Sequence, residues 1–367
     1  MQYMVDEDTQ AEVDAAQGEA TRLYEEMLDD LDTEFYGFGW WQGYMDQRRI
    51  ALISEYLIAS VIGVRDAISD AAFCFKEWTE QRYADDTWVR QTLKALGSGA
   101  SDQDVLRALH RRGNNKKRET RIKFASEHVF YHLAQSLDRL AAVVIGVTAL
   151  NTSILRADWS QVGSVAKFRK AQSDSKRQGQ PPEGATLQAD VRVKLLEIVE
   201  QAGPTDWLNW VDGMRNTHSH RAPKISMILT HRQSKKELPR LITLLERQPR
   251  WALTEELVGG KGESLEDVWL MRDPRGIHAG CVQSIALVMK AALTLLIDVW
   301  QRRKADPTLL LQPAGQWSKV LEEPLLAFDG YGEPIPTPAA GTIRVSPDTG
   351  RRMQASGIFD DTFWRSE

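Results

Sequence analysis

The sequence predicts a mainly all-α protein: an antiparallel helical bundle with a small β excursion and an extended C-terminal tail. Three observations carry this expectation. Apolar residues recur at helical spacing through most of the first 150 residues and again from about 275 to 304. Strand-like character is confined to the neighbourhood of "KISMILTHR" at 224–232. Seven of the fourteen prolines fall in residues 306–367, where no long helix is expected. The organisation read from these signals is an acidic helical segment over 1–40 and a helical domain over 41–305, with insertions at 157–186 and 224–272. A Pro-rich tail over 306–367 completes it.

The elements follow in order. Residues 9–32 read as an acidic helix, and "YGFGWW" at 36–41 reads as a turn whose rings pack against something. Two helical segments follow between 42 and 83, the first with Ile50, Ile53, Leu57 and Ile58 on one face, the second with Ile68, Ala72, Phe75 and Trp78. "ADDTWVRQTLKALGSG" gives a shorter helix stopped by its glycines, and Ser101 is placed to cap the next. The longest helix spans 117–150, with Phe124, His128, Tyr131, Leu133, Leu137, Leu140 and Val144 as its apolar stripe. Residues 157–186, rich in Gly, Ser and Pro, read as a long loop or a partly ordered insertion. Helices at about 187–202 and 205–220 precede the β excursion. The apolar run at 281–300 has Lys290 at its middle and Asp298 near its end. A charge at the centre of a span is costly, so this reads as a buried core helix and not a membrane span.

Charge is unevenly placed. Residues 1–35 carry twelve acidic residues against Arg22 alone, a net of −11 that leaves +6 on the rest of a chain whose total is −5. "RALHRRGNNKKRETRIK" at 107–123 holds eight Lys or Arg against one Glu, and a second basic stretch covers 220–240. Local basic patches govern polyanion binding more than the whole-chain sum. Arg111, Arg112, Lys116, Lys117, Arg118, Arg121, Arg221 and Lys224 are therefore candidate phosphate contacts, or simply a solvated face. The acidic start lacks the basic character of a secretion signal. The two isolated cysteines, Cys74 and Cys281, make neither a disulfide framework nor a zinc site, and a reducing cytoplasmic compartment is expected.

The segment richest in chemistry is "GMRNTHSHRAP" at 213–223. Pro223 disfavours α geometry at Ala222, so Arg215, Asn216, His218 and His220 fall in the last turns of a helix, where the dipole favours cations. Asn216 and His220 share one face, and Arg215 and His218 a neighbouring one. Arg215 and His220 stand about 140° apart around the axis. They converge only if the helix unwinds at its end or if two copies meet at a two-fold axis. Three readings stand: a nuclease or nucleotide site, a cluster that caps the helix C-terminus, and an H-x-H metal pair, which helical spacing disfavours. On the long helix His128 and His132, with Glu127 beside them and Asp138 beyond, are supporting groups or ordinary interior histidines.

Arg215, the polar Asn216 after it, and His220 following three further residues resemble the R-x4-H motif of HEPN-domain proteins. The resemblance implies a helical bundle that dimerises with the motif at the two-fold axis. It also implies metal-independent endoribonuclease activity, with Arg215, Asn216 and His220 catalytic and no cofactor. Such proteins act as toxins or in anti-phage defence. Some carry a Tyr two residues after the His; Ala222 stands there in this chain. The rival expectations are a non-catalytic helical interaction module and a subunit of a larger defence complex, with "GIFDDTFW" at 357–364 docking on a protein partner.

Overall fold

The computed structural model describes residues 7–41, 47–97, 102–110, 113–220, 227–231, 240–251, 264–312, 314–317, 328, 330–333 and 345–357. The fold is mainly α-helical. Its helices are α1 (Glu7–Asp29), α2 (Gln47–Leu96), α3 (Asp102–Ala108), α4 (Gly113–Thr148), α5 (Trp159–Gly163), α6 (Val165–Arg177), α7 (Pro182–Gln201), α8 (Trp207–His220), α9 (Leu265–Val268), α10 (Pro274–Ala305) and α11 (Pro347–Ala355). The β excursion is a small antiparallel sheet in the order β1 (Met227–His231), β2 (Arg240–Glu246), β3 (Trp269–Leu270). Met227 pairs with Leu244 and His231 with Arg240.

Backbone contacts group the chain into two compact units. One comprises Met1–Arg22, Val61–Leu140 and Asp190–Ile297; the other comprises Leu23–Ser60, Ala141–Ala189 and Asp298–Glu367. Within the first unit, the Arg139 guanidinium donates to the Gly63 carbonyl at 2.6 Å and Arg118 to the Ala84 carbonyl at 3.4 Å. Residue numbers rise on α4 as they fall on α2, so the two helices run antiparallel. Val64, Ile68, Phe75, Phe130, Leu133, Val211, Ile285 and Met289 are buried in this core. α10 is the one described helix long and apolar enough to cross a membrane, and 61% of its most apolar window is buried inside the protein.

The second unit is organised around the end of α4. Ala149 adopts φ +48, and Leu150 N–H donates to the Ile145 carbonyl at 3.1 Å, closing a Schellman-type cap without glycine. Side chains then add donors to the carbonyls of this last turn. Gln316 donates to Ile145, Arg303 to Gly146 and Val147, and Gln188 to Thr148 and Ala149. The rings of "YGFGWW" pack here: Phe38 and Trp40 each lie 4.8 Å from the Trp300 ring. Because a left-handed residue with a Cβ is strained, Ala149→Gly is expected to raise unfolding stability by about 1 kcal/mol, read by urea denaturation.

Four sequence expectations are corrected. The helical segments read separately between 42 and 99 lie in one helix, α2 (Gln47–Leu96), which runs through Gly63. A Cβ there would meet Arg139 Cδ at 2.7 Å, so the glycine admits the α4 side chain against the backbone. Residues 157–186 are largely helical instead of a loop. Ser164 caps α6 by accepting from Lys167 N–H, and Phe168, Ala171 and Ser175 form a buried stripe hidden in polar composition. The tail is not wholly extended: α11 packs within the second unit, with Gly37 N–H donating to the Ala355 carbonyl at 2.7 Å and Arg352 paired with Glu55. Finally, the stripe assigned to α4 is two faces. Leu133, Leu137, Leu140 and Val144 are buried, whereas Phe124 and Tyr131 are exposed.

Candidate functional site

α8 is held in place from three sides within the first unit. Trp207 Nε1–H donates to the Val199 carbonyl, Trp210 Nε1–H to the Glu246 carbonyl at the end of β2, and Thr217 Oγ1–H to the Pro249 carbonyl at 2.6 Å. Gly213 allows the last approach: a Cβ there would meet Pro249 Cγ at 2.6 Å. Val211 and Met214 are buried, and the Phe130 ring of α4 meets Trp210 edge-on at 5.4 Å. The helix presents its polar residues from a fixed frame.

Arg215 sits in a chain of polar contacts. Its guanidinium donates to the Asp138 carboxylate of α4 at 3.0 Å and to Asn216 Oδ1 at 2.9 Å, and Asn216 Nδ2–H donates to Asp212 at 3.0 Å. The ion pair is about a quarter to a third exposed. Asn216 therefore orients the arginine, by anchoring it to its own helix. Asp138 is the member of this cluster whose pairing with Arg215 sequence spacing does not signal, since the two lie 77 positions apart.

His218 faces Glu127 of α4, with Nδ1 3.6 Å from the carboxylate, an ion-pair separation and not a hydrogen bond. Burial pushes the Glu127 carboxyl up; the His218 imidazolium, followed by Lys123 and His128, outweighs it and holds the pKa below its ordinary value. An ionised carboxylate beside an imidazole orients the ring.

The remaining sequence candidates divide. α8 stays helical through His220, so unwinding cannot bring Arg215 and His220 together within one chain. The His220 side chain, and Arg111, Arg112, Arg221 and Lys224, lie outside the described residues. His132 turns to Asp70 of α2 at 3.8 Å, not to α8, and burial lowers its pKa. His128 Nδ1–H donates to the Phe124 carbonyl, with its ring against Phe124. Lys116 pairs with Glu119, Arg118 turns inward to Ala84, and Lys117 and Arg121 are exposed. Among the described residues no three His, Cys, Asp or Glu side chains gather as metal ligands.

A group that sequence reasoning passed over lies beneath this face. His278 of α10 is fully buried, its Nδ1–H donating to the Pro274 carbonyl at 2.7 Å and its Nε2 accepting from Ser126 Oγ at 2.9 Å. Trp78 stacks on the ring at 4.6 Å. The contact fixes the α4 turn that carries Glu127. Burial, with the His218 charge adding to it, pushes the His278 pKa down to about 4. Below its unfolded value near 6.5 the unfolded chain takes up a proton that the folded chain refuses. The associated stability is therefore whole above about pH 6.5 and is lost as pH falls towards 4. Between pH 7 and 4.5 this costs roughly 2–3 kcal/mol from one group. Urea unfolding of wild type and His278→Gln at both pH values is expected to show that extra loss in wild type alone.

These elements, and not kinship, are the basis for a functional reading: no family model, curated protein or solved structure matches the chain.

Proposed function

We propose that the chain is a metal-independent endoribonuclease of HEPN type, with Arg215 and the imidazoles at the end of α8 as its working groups. The observation that carries this is the pairing, on one well-anchored helix, of an oriented guanidinium with a carboxylate-backed imidazole. RNA supplies its own nucleophile. The 2′-hydroxyl attacks the adjacent phosphorus while a neutral imidazole takes its proton. The P–O5′ bond breaks, and an imidazolium returns a proton to the leaving 5′-oxygen. The products are a 2′,3′-cyclic phosphate and a 5′-hydroxyl. Arg215 donates to the phosphoryl oxygens as charge gathers there. In this reading His218, oriented by Glu127, serves as the acid and His220 as the base.

Because Arg215 and His220 diverge on a regular helix, this reading requires a homodimer in which the two motif helices face each other. It extends to a cytoplasmic toxin or anti-phage effector, with RNA as substrate and the C-terminal tail as a dock for a protein partner. Its test is incubation of purified protein with RNA in EDTA, with end-group analysis of the products. Cleavage that leaves cyclic phosphate ends and is lost in His220→Ala supports the proposal; ends of 3′-hydroxyl and 5′-phosphate overturn it.

A second reading is favoured by the Arg215–Asp138 pair, which a purely structural clamp between α4 and α8 also explains. The chain is then a non-catalytic interaction module, or a subunit of a larger defence complex. Intact RNA with wild-type protein across substrates and conditions selects this reading.

A further inference from the structure

The exposed face of α4 joins cations to aromatic rings in a single line. Taking 100° per residue, Lys117, Arg121, Phe124, His128 and Tyr131 all lie within about 80° of arc, and Asp138, the partner of Arg215, lies close to the same line. From Lys117 to Asp138 the helix advances roughly 31 Å at 1.5 Å per residue. Phe124 is 58% exposed and Tyr131 42%, unusual for rings on a helix whose opposite face is packed. The His128 ring bridges them, 3.7 Å from Phe124 and 6.2 Å from Tyr131 between centroids. Its position is held by the hydrogen bond from Nδ1 to the Phe124 carbonyl. Among the described residues Lys117 and Arg121 have no ion-pair partner, in contrast to Lys116 and Lys123, which pair with Glu119 and Glu127.

We propose that this face is a binding track for single-stranded RNA, with Lys117 and Arg121 holding the phosphate backbone and Phe124, His128 and Tyr131 offering surfaces on which unpaired bases stack. Charge complementarity selects the occupant. Unpaired cations call for a polyanion, and rings interleaved with them call for one whose bases are exposed. A duplex hides its bases and leaves the rings unused. The proposal rests on the ribonuclease reading only for the direction of the track, towards Arg215; the binding itself does not require cleavage.

The test uses the full chain and a fluorescent 2′-O-methyl oligoadenylate of twelve nucleotides, which lacks the attacking hydroxyl and cannot be cut by the proposed chemistry. Fluorescence anisotropy gives affinity as a function of salt. Wild type is expected to bind this strand at least 10-fold more tightly than the corresponding duplex. Phe124→Leu and Tyr131→Leu, which keep apolar bulk and remove the π face, are each expected to weaken binding roughly 10-fold, within the usual range of base–aromatic stacking. Lys117→Gln with Arg121→Gln is expected to lower the slope of log K against log salt by about 1.4, two single-strand phosphate contacts. Both rings are exposed, so circular dichroism should be unchanged. Equal affinity for strand and duplex overturns the track, and so does wild-type affinity in both ring variants. Loss of dimer in the ring variants with binding intact reassigns the face to contact between copies and also overturns it. Tight strand binding by a protein that cuts no RNA sustains the track and removes the ribonuclease reading instead, so the two fail separately.

Discussion

Arg215→Ala is expected to lower the single-turnover rate of RNA cleavage in EDTA by roughly 10²–10³-fold, the usual effect of removing one donor aimed at developing charge. The guanidinium is held at one end by Asp138 and at the other by Asn216, which is itself anchored to Asp212. These contacts fix the plane of the group before substrate arrives. Arg has five N–H donors, so engagement with two partners leaves others for a phosphate. Arg215→Lys keeps the charge but loses the planar fork, and should recover little of the rate. The variant also separates chemistry from folding. The Arg215–Asp138 pair is about 30% exposed, so its loss should cost about 1 kcal/mol or less once solvent screening is allowed for. A large rate loss with a nearly unchanged unfolding midpoint therefore assigns Arg215 to the reaction. Undiminished cleavage by Arg215→Ala would remove the guanidinium from the mechanism.

Much of this architecture was legible in the residues, and the failures have physical causes. The helices read at about 205–220 and 275–304 correspond to α8 and α10, and the strand-like character of "KISMILTHR" to β1. The continuity of α2 was hidden because its apolar face was read in short segments, and the tolerance of Gly63 within it is explained only by the Arg139 side chain of α4 lying against the backbone. The helix α6 was hidden by average polarity, although its buried stripe has helical spacing. On α4 the aromatic residues were assigned to the core because rings usually are, while their register relative to Leu133 and Leu137 places them on the opposite side.

The cluster around α8 was legible as a composition but not as a set of partners. Arg215, Asn216, His218 and Glu127 stood out by type. That Arg215 would meet Asp138, and His218 meet Glu127, depends on the crossing of two helices far apart in sequence, which no local spacing encodes. His278 was invisible for another reason. Its role comes from enclosure by Ser126, Trp78 and Phe130, each contributed by a helix other than its own.

Arg303→Ala is expected to cost about 3–5 kcal/mol of unfolding stability, enough to drive much of the protein into the insoluble fraction, given total stabilities of about 5–15 kcal/mol. Arg303 is fully buried. A buried cation is tolerable only if its charge is met, and here the negative end of the α4 dipole meets it. The guanidinium donates to the Gly146 and Val147 carbonyls at 2.9 and 3.1 Å and to Gln312 Oε1 at 2.6 Å. The faces of Trp40 and Trp41 lie over it at 5.4 and 4.8 Å, adding cation–π attraction. Truncation leaves a cavity and strips these acceptors of a donor. Arg303→Met tells the two contributions apart. It fills most of the volume but donates nothing, so the difference between Met and Ala reports packing, and the difference between wild type and Met reports the hydrogen bonds. The geometry predicts that Met retains a deficit of about 2–3 kcal/mol, because the buried Val147 carbonyl and Gln312 Oε1 lose their Arg303 donor, at about 1–3 kcal/mol for each unpaired acceptor, while the Gly146 carbonyl keeps its bond from Ala149 N–H and relaxation recovers part of the loss. Chemical denaturation of the three proteins measures both differences. If Met matches wild type, packing accounts for the whole contribution of Arg303, and the guanidinium is dispensable to the fold.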